Sequence, residues 1–285
     1  MGGRYARVVS TRPGPHDLDP HRVDPARVPR AALVMLAAGD GRRAGHDTNK
    51  VLLPLAGRRV YTWAIRWAKE LPAIRRTVLV IREQDRATIE STLAREVEDP
   101  AVTVVTGGDS RHGSEWAALQ VLAPAIESGE LDVVVIHDAA RPLASTELFD
   151  RVITCGFAQG GAIPAILQDN LTAVDESDSL PQVDVVAVQT PQAFAARPLL
   201  AAYTRAHEDG FVGTDTASCM ERYTPLPVHW VAGDARNIKI TFPEDLFLAE
   251  RLLAKAGYDL SGRASSHHEG EARHLRDLWR LGDHS

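Results

Sequence analysis

The stretch AALVMLAAGDGRRAGHDTNK, residues 31–50, decides how the rest of the chain reads. Its first eight residues are apolar with no polar alternation, which suits a strand buried on both faces. The run stops at Gly39-Asp40-Gly41. Arg42 and Arg43 follow, and Lys50 arrives one loop later. Glycine brings backbone N–H groups close to a ligand because no Cβ intervenes, and three cations beside it suit a polyphosphate. A Gly-x-Gly after a strand is also a common turn, and paired arginines on a loop are commonly solvated. This loop by itself leaves phosphate cradle and plain turn both open. It is not a Walker loop, which needs Gly-x-x-x-x-Gly-Lys-Ser/Thr. It is not a good dinucleotide fingerprint either, because the third position is Ala44 and no acidic residue closes a strand at the expected distance.

Working outward, apolar strands alternate with helical patterns. Residues 60–71 place Val60, Trp63, Ala64 and Trp67 on one helical face. Residues 77–81 read as a strand, 84–97 as a polar-faced helix, and 102–106 as a strand ending in Gly107-Gly108-Asp109-Ser110-Arg111. Ser114 is expected to cap the next helix. Residues 132–136 (DVVVI) form a buried strand running into HDAARP, and Ser145 caps a helix that ends near Gly160-Gly161. Strands and helices in alternation with short links imply an α/β fold, a doubly wound and mostly parallel sheet. Right-handed crossovers then bring the ends of the first, third and fourth strands to one edge, where ligands bind in such sheets. In the second half, residues 162–167 read as a strand and 168–188 as a projecting hairpin around Asp175-Glu176-Ser177-Asp178. Residues 198–207 form a helix, Gly213-Thr214-Asp215-Thr216 opens another, and 228–231 is a strand. Residues 243–256 form an amphipathic helix with Pro243 at its start and Glu244 and Asp245 in its first turn.

The chain of 285 residues is long enough for one large α/β domain or two small ones. A net charge of −6 argues against a general nucleic-acid binder, which needs a basic face. Cys155 and Cys219 lack metal-ligand spacing and are expected to be reduced and packed. The first residues carry charge without an apolar segment, and no run is long enough to span a bilayer. The expectation is a cytoplasmic protein. Residues 1–29, rich in Pro, Arg, Asp and His, read as a loosely attached extension or a partner-binding tail. Residues 30–258 form the folded domain, and 259–285 form a polar tail with one possible helical turn at 273–281.

Six segments occur in a telling order: LAAGDGRR with Lys50, GGDSRHGS, HDAARP, QTPQAF, TDTAS and NIKITFPEDL. Over residues 31–256 the chain resembles the 2-C-methyl-D-erythritol 4-phosphate cytidylyltransferase family, including its ribitol-5-phosphate cytidylyltransferase relatives. The resemblance implies a GT-A-like nucleotidyltransferase that makes a CDP-alcohol and pyrophosphate from CTP and a sugar-alcohol phosphate, with Mg²⁺. It also implies a homodimer whose arms reach into each other's active sites. Carried over position by position, Ala37, Ala38, Gly39, Asp40 and Gly41 bind the triphosphate. Arg43 and Lys50 are its essential cations, and Gly107, Gly108, Asp109 and Ser114 contact cytosine and ribose. Asp138, Arg141, Asn170, Thr190, Thr214 and Lys239 fall on acceptor-side positions, with Asp138 and Lys239 counted as catalytic; metal ligands are not assigned. Two of these positions keep a plainer reading open: Asp138 as the cap of a turn and Thr214-Asp215 as a helix N-cap. His137 is read as a packed residue with no chemical role.

The arm departs from the family's pattern. The family has Asp-Thr-x-Lys at its start, whereas this chain has Asp169-Asn170-Leu171-Thr172. The family's arginine before the TPQ segment falls on Gln182. Residues 168–190 hold no Lys or Arg, while Asp169, Asp175, Glu176, Asp178 and Asp184 are acidic. A charge-assisted bidentate contact to the acceptor is therefore missing. Either the acceptor differs (ribitol 5-phosphate, another polyol phosphate or a phosphonate), or Arg141, Lys239 or Arg236 compensates. A third possibility, from another class, is a catalytically silent nucleotide-binding protein.

Overall fold

The computed structural model describes residues 27–39, 49–97, 102–168 and 185–258. The chain opens with β1 (Ala31–Leu36), followed by a short ribbon of β2 (Pro54–Leu55) and β3 (Arg58–Arg59). Helix α1 (Val60–Lys69), β4 (Ile74–Ile81), α2 (Arg86–Glu96) and β5 (Val102–Thr106) come next. Then follow α3 (Arg111–Glu127), β6 (Val133–Asp138), α4 (Thr146–Gln159) and β7 (Gly161–Leu167). The last elements are β8 (Val186–Val188), β9 (Gln192–Ala195), α5 (Ala196–Glu208), α6 (Thr216–Tyr223), β10 (His229–Ala232) and α7 (Pro243–Lys255). The main sheet has the order β10-β7-β9-β6-β1-β4-β5, with β8 paired to β7. β1 is parallel to both of its neighbours, β4 and β6, and β4 is parallel to β5.

The expected doubly wound sheet is present, and β1 lies inside it, as its unbroken apolar run requires. Ala31, Leu33 and Met35 face a core shared with α1 and α4, whereas Ala32 and Val34 face α3, α5 and α6. A third cluster packs Trp63 and Val60 against Ile240, Ala249 and Leu253, so α7 covers the start of α1. Trp63 stacks on Trp67, and Tyr258 meets both edge-on. The indole N–H groups donate to Leu55 O and Pro142 O over 2.9 and 3.0 Å, so these tryptophans pack helices, as their spacing suggested.

Two sequence readings change. β9 was not expected. It runs antiparallel between β6 and β7, and its four residues, QAFA, are too short for a period to show. The cap of α3 is Ser110, not Ser114: the Ser110 hydroxyl accepts from Gly113 N over 2.9 Å. The helix therefore begins one turn earlier, with Gly113 inside its first turn and Ser114 buried. The first-half strands and α4 with its Ser145 cap fall where expected. β8, the far end of the expected hairpin, pairs antiparallel with β7, which the sequence reading kept as a separate strand; residues 169–184 lie outside the described residues, as do residues 1–26 and 259–285. Cys155 and Cys219 are free thiols.

Gly156 shows how tightly α4 sits on the sheet. A Cβ there would lie 2.8 Å from Ala193 O and 2.9 Å from Ala193 Cβ, closer than such atoms approach. Gly156→Ala is therefore expected to destabilise, although alanine is the better helix former by about 1 kcal/mol. The overpacking cost of roughly 1–3 kcal/mol wins. Urea unfolding should show a lower midpoint with an unchanged slope; a raised midpoint would mean that α4 moves off β9 freely.

Candidate active site

The carboxyl ends of β1, β5 and β6 open into one cleft of about 990 Å³. Ala37, Ala38 and Gly39 form one wall, Gly107 to Ser114 another, and Lys50, Asp138 and Lys239 line the same space. Gly107 stands where a side chain cannot. A Cβ would lie 2.7 Å from both Ala38 Cβ and Ser114 Oγ, so glycine lets the ends of β1 and β5 and the start of α3 close together. Asp40, Gly41, Arg43 and Asn170 lie outside the described residues.

Lys50 sits on a single 3-10 turn, Lys50–Leu52. Asn49 fixes that turn: its buried amide donates to Ala37 O over 3.0 Å and to Asp85 Oδ2 over 2.9 Å. Arg82 in turn grips Asp85 through both carboxylate oxygens, at 2.8 and 3.1 Å. The lysine's backbone is thus tied to the end of β1 and to the turn after β4.

At the other end stands Asp138, the last residue of β6. Lys239 Nζ donates to its Oδ2 over 2.7 Å, and Arg111 Nη1 donates to its Oδ1. Burial pushes the Asp138 carboxyl up, but the charges and hydrogen bonds of Arg111 and Lys239 outweigh that and hold it well below the usual carboxylate range. Asp138 is therefore a permanent anion at the cleft wall rather than a turn cap. Its backbone N–H donates to Thr190 Oγ1 over 3.0 Å.

The sequence reading gave Arg111 and Glu115 no role. Arg111 opens α3, and Glu115 sits one turn later with no exposed surface. Arg111 Nε lies 3.0 Å from Glu115 Oε1, yet the N–H is not directed at it, so the contact is an ion pair without a hydrogen bond. Glu115 also accepts from Thr216 Oγ1 over 2.9 Å and from the Tyr203 hydroxyl. Burial pushes the Glu115 carboxyl up more than these partners draw it down. An i, i+4 Arg–Glu pair directly after a glycine-rich strand end was the available signal; the spacing does not reveal that the pair faces inward.

Of the other acceptor-side positions, Thr190 and Arg141 stand behind the cleft wall. Thr190 is buried, and its Oγ1 lies 3.1 Å from His137 Nδ1. Arg141 Nη1 donates to Asn237 O over 2.6 Å, and Asn237 Nδ2 donates to Thr190 O over 2.8 Å. Thr214 is exposed, just ahead of Asp215, which caps α6 with a capping box to Ser218. Arg236 is taken by Asp234 at 3.0 and 3.1 Å. No three-residue cluster of His, Cys, Asp or Glu with metal-binding geometry occurs among the described residues, and no described helix is long and apolar enough to cross a membrane.

A glycine-walled cleft beyond parallel strands, with lysines and an ion-paired carboxylate inside it, defines an α/β nucleotidyltransferase in build. The comparisons agree. The family model described as 2-C-methyl-D-erythritol 4-phosphate cytidylyltransferase matches residues 31–255. The enzyme of that name from Geobacillus kaustophilus is 35% identical over 225 residues, covering 78% of this chain and 96% of the relative. That from Symbiobacterium thermophilum is 37% identical over 228 residues, covering 78% and 92%. The crystal structure of 4-diphosphocytidyl-2C-methyl-D-erythritol synthase from Anaerococcus prevotii superposes with a TM-score of 0.66 at 26% identity, covering 79% of this chain and 96% of that one. The chain belongs to the 2-C-methyl-D-erythritol 4-phosphate cytidylyltransferase family.

His137 supplies a pH test of this architecture. Its Nε2 faces Arg141 O over 3.0 Å; a carbonyl only accepts, so Nε2 carries the proton and Nδ1 accepts from Thr190. Burial pushes the imidazole down to about 4. A group so depressed contributes stability that is complete above its unfolded value of about 6.5 and is lost as pH falls through about 4. Between pH 7.5 and 4, wild type should lose on the order of 3 kcal/mol more unfolding free energy than His137→Gln. Parallel losses in urea titrations of the two proteins would show that His137 is not held neutral.

Proposed function

We propose that this chain transfers CMP from CTP to 2-C-methyl-D-erythritol 4-phosphate, giving the CDP-alcohol and pyrophosphate for isoprenoid precursor synthesis. The observation that carries the reading is the cleft with Lys50 near the β1 loop and the Arg111–Asp138–Lys239 centre opposite. One acceptor phosphate oxygen bonds to the α-phosphorus of CTP, and the bond from that phosphorus to the bridging oxygen breaks as pyrophosphate leaves. The nucleophile is already an anion, so the protein's work is positioning and charge stabilisation. Ala37 to Gly39 and Lys50 face the triphosphate, while Gly107, Gly108, Asp109 and Ser114 face the nucleoside. Lys239 offsets the repulsion between two meeting anions. The named relatives favour this acceptor over ribitol 5-phosphate, and they favour an enzyme over a silent binder.

Mg²⁺ is part of this proposal only as the triphosphate's counter-ion. Both Asp138 oxygens are engaged by cations and Glu83 by Arg86, so the described residues do not fit a protein-held metal cage. A homodimer through the arm is likewise proposed. Its support is the β7–β8 ribbon leading out of the sheet, and light scattering of the purified chain tests it.

Pyrophosphate release from CTP and Mg²⁺, measured with 2-C-methyl-D-erythritol 4-phosphate, ribitol 5-phosphate and no acceptor, tests the activity. Release with the first alone is expected, and release only with ribitol 5-phosphate would reassign the acceptor. Lys50→Ala should lose about 3–4 kcal/mol of transition-state stabilisation, a fall of two to three orders of magnitude in turnover, with the circular dichroism of wild type. Near-normal turnover would remove Lys50 from the mechanism.

A further inference from the structure

Glu115 does not line the cleft, and nothing in the proposed chemistry uses it. Placing a carboxylate where no water reaches is unfavourable even after relaxation. Three elements nevertheless converge to keep it there. Arg111 on its own helix lies 3.0 Å from Oε1, Thr216 at the start of α6 donates to that oxygen over 2.9 Å, and Tyr203 of α5 donates to Oε2. His112 stacks on the Tyr203 ring with centroids 4.5 Å apart, which restrains the hydroxyl's direction. Burial pushes the Glu115 carboxyl up, and it is the Arg111 guanidinium 3.0 Å away, with the Thr216 and Tyr203 hydroxyls donating to it, that favours its ionised form here.

The consequence falls on Arg111. It lines the cleft and would be drawn to any phosphate arriving there. A guanidinium with one carboxylate partner can turn toward a second anion; one with a carboxylate on its Nη1 side and another on its Nε side is fixed. We propose that Glu115 is a positioning residue that tethers Arg111 to Asp138, leaving Lys239 as the cation released to the acceptor phosphate; this rests on the cytidylyltransferase reading above. Asp138 is buried and needs a counter-charge throughout turnover. If Arg111 and Lys239 were equally free to leave, the incoming phosphate would strip both, and an unpaired buried carboxylate would remain. Lys239 is the one able to move: it is exposed and anchored to Asp138 by a single contact.

Glu115→Gln keeps the shape and removes the charge, and Tyr203→Phe loosens the carboxylate while keeping the ring. With CTP and 2-C-methyl-D-erythritol 4-phosphate, Glu115→Gln should raise the acceptor KM about tenfold or more, with the CTP KM changed less than about threefold. Tyr203→Phe should shift the same parameter less, and the double variant should fall short of the product of the two. A merely structural role would lower Tm and move both KM values together, and that result, or wild-type kinetics in Glu115→Gln, overturns the proposal. If Glu115→Gln does not fold, Tyr203→Phe decides on the same criteria. A second readout needs no turnover. The Arg111 Nη1–H resonance, which reports the hydrogen bond to Asp138 and is assigned with Arg111→Lys, should be protected from exchange in wild type and lose protection in Glu115→Gln or Tyr203→Phe. Equal protection overturns the tether, whereas a wild-type protein without pyrophosphate release overturns the activity and leaves this result to judge Glu115.

Discussion

A carboxylate at the end of a buried strand has to be paired, and that requirement organises one whole edge of this molecule. Asp138 ends β6, between a parallel and an antiparallel neighbour, where water does not reach both oxygens. Arg111 comes to it from the start of α3, Lys239 from the segment beyond β10, and Thr190 from the link before β9. Three segments distant in sequence thus meet on one group. Removing a single partner from such a buried pair costs about 3–5 kcal/mol, because the surviving charge stays behind. The centre is consequently a constraint on the fold as much as a piece of chemistry.

The pairing also explains why the polar residues around the cleft divide into those that face it and those that hold it. His137, Thr190, Asn237 and Arg141 pass hydrogen bonds from side chain to backbone behind the wall. Ile240 N adds a bond to Ala140 O over 2.8 Å, which draws the Lys239 segment alongside the residues after β6. Each bond is modest, on the order of 1 kcal/mol net, but in a dry place leaving any one unmade costs more than making it contributes. Motif residues that look alike in a sequence therefore split by depth. Asp138 and Lys239 meet the cleft, whereas Thr190 and Arg141 fix the backbone that carries them.

Legibility followed the same physics. The apolar runs of β1 and β6 were readable because a strand covered on both faces leaves no alternation, and both are fully buried at their centres. The glycines at 107–108 marked a strand end because only glycine admits such close approach there. β9 was not readable, since four residues cannot show a period and its place beside β6 is set by pairing alone. Ser110 and Ser114 both resemble caps; only the hydrogen bond to Gly113 N decides between them. The Asp138–Lys239 contact spans more than a hundred positions, so no spacing rule finds it, and the ordered segments had to point there. Glu115 was legible as a helical residue but not as an inward one. A single acid among alanines and leucines is the weakest kind of signal until Tyr203 and Thr216 are seen to meet it.

The two lysines of the cleft are held in opposite ways, and the difference matches the roles proposed for them. Lys50 belongs to a turn whose backbone is fixed by Asn49, Ala37 and Asp85, with Arg82 behind them. Its position is set before any nucleotide arrives, which is how charge stabilisation works best, because no reorganisation is left to occur during reaction. Lys239 lies on an extended segment, outside helix or strand, and its ammonium rests on Asp138. An anion arriving beside it offers a second partner of the same sign as the first, so the lysine can turn from one to the other at little net cost, provided Arg111 stays. On the proposed roles, a rigid cation for the triphosphate and an exchangeable one for the acceptor need no moving domain. In that proposal the nucleotide would meet a preformed wall, and the acceptor phosphate would take over a contact the protein makes with itself, Lys239 to Asp138.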